Sequence, residues 1–169
     1  MDRIILVDGG GELSAEQMGK VFAGIKPSLD RLGKTFPSFE DYLEFMKQTP
    51  FLDPWSPVFE TYFRYEAEDI DGGVRSRTQP EHIQEEAQNL RKLNVSEYYS
   101  KIACRTLILR ATEGLLAGDD ILLPEEVTEK MLRKIPGAVA VTVQGVNHYM
   151  ILFQPNDARD RAILSFLEA

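Results

Sequence analysis

Three short apolar runs, Ile4–Val7, Thr106–Ala111 and Ala138–Val143, constrain this chain more than anything else in it. Each carries β-branched or aliphatic side chains on nearly consecutive residues and is bounded by turn or charged residues, the pattern of a strand buried on both faces. Between the second and third runs, Val127, Met131, Leu132 and Ile135 recur at helical spacing within Pro124–Ile135, and Pro136-Gly137 closes that element. A further amphipathic helix is predicted over Asn156–Leu167. Strand, helix, strand, helix at this spacing predicts an α/β fold with a parallel sheet, flanking helices and right-handed crossovers, built from residues 1–11 and 99–169.

The period changes between the first and second runs. Ser14-Ala-Glu-Gln17 reads as a capping box, followed by Met18, Val21, Phe22, Ile25, Leu29 and Leu32 on one helical face, with Pro27 as a kink. Ser38 opens a second helical stretch bearing Tyr42, Leu43 and Met46, and aromatics then bunch, among them Trp55, Phe59 and Tyr62. Asp71-Gly72-Gly73 signals a turn, and Pro80 starts a helix with Ile83, Ala87 and Leu90 on one side. Residues 12–98 are therefore expected to form an all-helical insertion.

Bulk properties exclude several functions. A net charge of −8 argues against nucleic acid, whose binding rests on Lys and Arg neutralising phosphates. No apolar run approaches the roughly 18 residues of a membrane span, and the first residues lack a signal-peptide core, so a cytoplasmic location is expected. Cys104 can form no internal disulfide and reads as a packed thiol. With two histidines and no convincing ligand spacing, neither metal nor cofactor is expected, and His82 reads as a solvated helix residue. Gly9-x-Gly11-x-x-Ser14 nearly spells a dinucleotide fingerprint, but Ser14 replaces the third glycine, and Asp8 and Glu12 would repel a pyrophosphate.

The remaining chemistry centres on His148, in Gly145-Val-Asn-His-Tyr149 just after the third run. Asp119 and Asp120 follow the second run, and parallel strands present their C-terminal ends to one side, so Asp120 and His148 can meet there. The ordered pieces Val7-Asp8-Gly9-Gly10, Leu107-Ile-Leu-Arg-Ala111, Asp120-Ile-Leu-Leu-Pro124, Ile135-Pro-Gly137 and Asn147-His148-Tyr149 give the chain a resemblance to the C-terminal portion of an α/β-hydrolase with a helical cap, across essentially the whole sequence. The resemblance implies esterase-like hydrolysis of a small acyl substrate by a Ser-Asp-His triad. His148 would be the general base and Asp120 the acid that fixes its tautomer, with Asp119 as the runner-up. Phe22, Trp55, Phe59 and Tyr62 would wall an apolar substrate pocket or serve as ordinary core.

That resemblance also exposes a gap. The family's nucleophile sits in a Gly-x-Ser-x-Gly elbow ahead of the strand that matches Ile4–Val7, and no serine here has an elbow around it. The oxyanion donors belong to the same missing region, and Gly9-Gly10-Gly11 reads as a tight turn rather than a substitute. Family members commonly read Val-Asp-Arg before this strand, against Met1-Asp2-Arg3 here, which gives the expectation of a truncated gene or a start misassigned to an internal valine codon. The first strand would then present an apolar edge, leading to homodimerisation or to complementation by an N-terminal fragment. The chain is expected to be inactive alone. The alternative is a non-catalytic small-molecule-binding or interaction module derived from a hydrolase.

Overall fold

The computed structural model describes residues 2–168, which divide into two compact units, Met1–Gly24 with Asn94–Ala169, and Ile25–Leu93. The first unit contains the three expected strands, β1 (Arg3–Val7), β5 (Arg105–Ala111) and β6 (Ala138–Val143). They pair in the order β1-β5-β6, both pairings parallel, with Val7 beside Leu109 and Ala111 beside Val143. Side-chain alternation along β5 feeds two cores. Leu107, Leu109 and Ala111 pack with Val143, Ile151 and Phe166, placing the short helix α6 (Met150–Phe153) and α7 (Asp157–Glu168) on one face. Ile108 packs on the other face with Tyr99, Leu123, Met131 and Ile135, and so receives α5 (Glu125–Lys134). Helices on both faces explain why the strand sequences lack strict alternation.

The second unit departs from the all-helical expectation. It holds α2 (Phe39–Lys47), α3 (Pro57–Glu66) and α4 (Pro80–Lys92), but also a three-stranded antiparallel sheet, β2 (Thr35–Phe36), β3 (Ala67–Ile70) and β4 (Gly73–Ser76), in the order β2-β4-β3. The Asp71-Gly72 turn is the connection of the β3–β4 hairpin. Gly73 is required there: a Cβ on it would come within 2.0 Å of the Phe36 carbonyl, so only glycine lets β2 lie against β4. Helix α1 (Ala15–Leu29) begins in the first unit and continues past Gly24.

The core of the second unit is aromatic, with Phe36, Phe39, Tyr42, Phe59 and Phe63 all buried. An ion pair lies among them. Arg31 Nη2 contacts Glu66 Oε1 at 3.0 Å, and Arg31 Nε donates to the Tyr42 hydroxyl at 2.8 Å. Tyr42 and Ser76 hydroxyls both donate to Glu66, so the buried carboxylate is fully partnered. Burial, opposed by the nearby Arg31 guanidinium, pushes the Tyr42 phenol well above its ordinary range.

Candidate active site

Asp8 is the first residue past β1. Its N–H donates to the Leu109 carbonyl at 2.7 Å, extending the ladder by one bond, and its φ of 46° then turns the chain into the left-handed region. Asp tolerates that conformation better than most L-residues because its short polar side chain bonds locally. Here Oδ1 accepts from the Ala111 N–H at 2.8 Å, and the residue is only 1% exposed. The carboxylate therefore reaches across the C-terminal end of the middle strand. Beyond that strand, Oδ2 meets His148 Nδ1 at 3.1 Å.

His148 is positioned from the other side. After β6, Gly145 takes a φ of 71°, and its N–H donates to Thr112 Oγ1 at 2.9 Å. The Val146 carbonyl accepts from both Thr112 and Glu113 N–H groups, at 3.1 and 3.0 Å, tying this turn to the end of β5. Asn147 Oδ1 accepts from the Tyr149 and Met150 N–H groups at 2.9 Å each, capping the start of α6. The imidazole is held between these bonds and remains partly open to solvent. A carboxylate accepts and does not donate, so Nδ1 carries the proton in the neutral ring and Nε2 presents a lone pair.

The carboxylate beside His148 is thus that of Asp8, not of Asp120. Asp120 is 1% exposed and turned into its own loop, where Oδ1 and Oδ2 accept from the Leu115 and Leu116 N–H groups at 2.8 Å each. It closes the segment after β5 and packs against α1, where a Cβ on Gly24 would lie 2.3 Å from Oδ2. Asp119 faces outward and pairs with Lys20 Nζ at 2.8 Å; that hydrogen bond holds its carboxyl below the ordinary range. His82 is exposed on α4, its Nδ1 accepting from the Gln79 N–H at 3.2 Å.

The aromatic residues expected to wall a pocket are distributed differently. Phe59 is 0% exposed and belongs to the core of the second unit, which removes it as a lining residue. Trp55 stacks on Phe63 with 5.8 Å between ring centroids and also contacts Phe59, while Tyr62 is partly exposed on α3. Phe22 lies half-buried on the first half of α1. Among the described residues no group of three or more His, Cys, Asp or Glu is placed to hold a metal ion. Nor is any helix among them long and apolar enough to cross a membrane.

Asp8 is not singled out by the sequence, although a signal exists: an acid directly after a buried strand lies on the same sheet edge as any other loop acid. The glycines behind it made a plain turn the simpler interpretation.

No family model matches the sequence, and no curated protein matches it. Solved structures do. The chain is similar to E-2-(acetamidomethylene)succinate hydrolase with a TM-score of 0.75 at 17% identity, covering 100% of this chain and 58% of that one. A thioesterase domain from the curacin biosynthetic pathway matches with a TM-score of 0.62 at 16% identity, over 99% and 58% of the two chains. A thermophilic esterase from Thermogutta terrifontis gives a TM-score of 0.54 at 18% identity, over 98% and 55%. The chain thus spans less than two thirds of the length of each of these proteins. Its parallel sheet with flanking helices is accordingly part of an α/β-hydrolase fold.

Proposed function

We propose that Asp8 and His148 are the acid and base of a hydrolase centre acting on a small acyl substrate, whose nucleophile and oxyanion donors come from polypeptide outside these 169 residues. The observation that carries this reading is the Asp8 Oδ2 to His148 Nδ1 contact at 3.1 Å, formed across the C-terminal edge of a parallel sheet. Asp8 fixes the imidazole tautomer and stabilises the imidazolium. His148 Nε2 takes the proton of an attacking hydroxyl and returns it to the leaving group. The matches to hydrolases and esterases support the reaction class. The chain spans 58% of the length of these matched structures, which supports further polypeptide that pairs along β1 and carries the nucleophile. The single thiol, Cys104, fits a reducing cytoplasmic setting.

Hydrolysis of 4-nitrophenyl acetate tests this, by the purified chain and by the chain co-expressed with a segment bearing a nucleophile elbow. In whichever form is active, His148→Ala and Asp8→Asn are each expected to lower kcat/KM by about 10³-fold or more, and Asp120→Asn by less than about tenfold. Equal losses for Asp8→Asn and Asp120→Asn would refute the assignment of the acid. The absence of an elbow in the sequence favours a second reading, a binding module without chemistry. No hydrolysis in either form, together with saturable ligand binding, selects it.

A further inference from the structure

The loop that follows Asp8 is built from residues that resist being fixed. Gly9, Gly10 and Gly11 come in succession, Gly10 at a φ of 80°, and glycine loses more conformational freedom on ordering than any other residue. Something must hold them. Tyr99, from the 3₁₀ turn Tyr99–Lys101 ahead of β5, is 2% exposed and packs its ring among Ile108, Leu123, Met131 and Ile135. Its hydroxyl donates to the Gly10 carbonyl and accepts from the Glu12 N–H, both at 2.9 Å. One rigid ring therefore uses both functions of its hydroxyl on the backbone next to Asp8. The loop lies hard against the same core, since a Cβ on Gly11 would come within 2.7 Å of Leu123 and Val127. On its outer side Glu12 pairs with Lys130 of α5.

We propose that Tyr99 is a positioning residue for the candidate site: by anchoring Gly10 and Glu12 it fixes the left-handed turn at Asp8 and so aims the carboxylate at His148. This rests on the reading of Asp8 and His148 as acid and base, and it adds a residue that touches neither of them. The two histidines of the chain make it testable without turnover. His148 Nδ1 faces a carboxylate and is held as the Nδ1–H tautomer, whereas His82 Nδ1 accepts an N–H and is held as Nε2–H.

Ring ¹⁵N spectra of the labelled chain, at a pH where both rings are neutral, distinguish these forms. The wild type is expected to show the Nδ1–H signature at His148 and the Nε2–H signature at His82. Tyr99→Phe keeps the ring and removes the anchor; it is expected to lose the Nδ1–H signature at His148 while His82 stays unchanged. The control Tyr98→Phe, at an exposed ring, should alter neither. A His148 signature unchanged in folded Tyr99→Phe overturns the proposal and leaves the Asp8–His148 pair standing. A wild-type His148 without the Nδ1–H signature overturns the pair itself, and the proposal with it. If Tyr99→Phe does not fold, hydrogen exchange of the wild type decides: the Glu12 N–H, held by the Tyr99 hydroxyl, is expected to be protected, and exchange at the rate of an open loop overturns the proposal.

Discussion

Asp8 and Asp120 are equally buried carboxylates after neighbouring strands, and their hydrogen bonds separate them. Asp8 has one oxygen on a backbone N–H and the other on an imidazole, while Asp120 has both on backbone N–H groups. Asp120→Asn turns an amide NH₂ towards one of those donors. We expect a loss of roughly 1–3 kcal/mol in urea unfolding from the donor left unpaired. Asp119 differs again, being exposed. Lys20 lowers its folded-state pKa, so any stabilisation it gives is present above the unfolded value near about pH 4 and disappears as pH falls through the folded one. In a ¹³C carboxyl titration, Lys20→Met is expected to return Asp119 upward to the ordinary range; an unmoved midpoint would refute the pairing. At this scale the sequence put His148 and the loop acids on one sheet edge, and the structure brings Asp8 to the imidazole. It could not tell which carboxylate meets the imidazole, because that depends on which loop N–H groups capture Asp120.

At the scale of elements, the parallel strands were legible because each is a continuous apolar run with a helix period between. The small sheet of the second unit was not. In β3 and β4, Glu68, Asp69 and Arg75 interrupt the apolar residues, and only Ala67, Val74 and Ser76 are buried, too few to register as alternation. What ties these strands to the helices is the Arg31–Glu66 pair with Tyr42 and Ser76. Removing one partner of a buried ion pair strands the other, at a cost of about 3–5 kcal/mol. Glu66→Ala should therefore lose hydrogen-exchange protection across β3, β4 and the end of α3. A loss below about 1 kcal/mol would mean that water already solvates Arg31.

For the molecule as a whole, the decisive fact is strand order. A sequence shows three strands in succession but not that β1 lies directly beside β5, with a whole unit inserted between them in the chain. Among the described residues β1 pairs on one side only, and Ile4 to Val7 are half-buried. An open edge of this kind invites strand addition. We expect sedimentation velocity to show concentration-dependent association of the isolated chain, and its suppression when a complementing segment is co-expressed. A monodisperse monomer at all concentrations would argue against the β1 edge as the contact. Because Asp8 grips the middle strand and reaches past it to His148, the contact between these two side chains is wired through the sheet and not through the 69 residues of Ile25–Leu93. Whatever replaces that insertion, longer, shorter or differently folded, the same two side chains can keep their alignment, so the proposed acid–base pair is insulated from change in those residues.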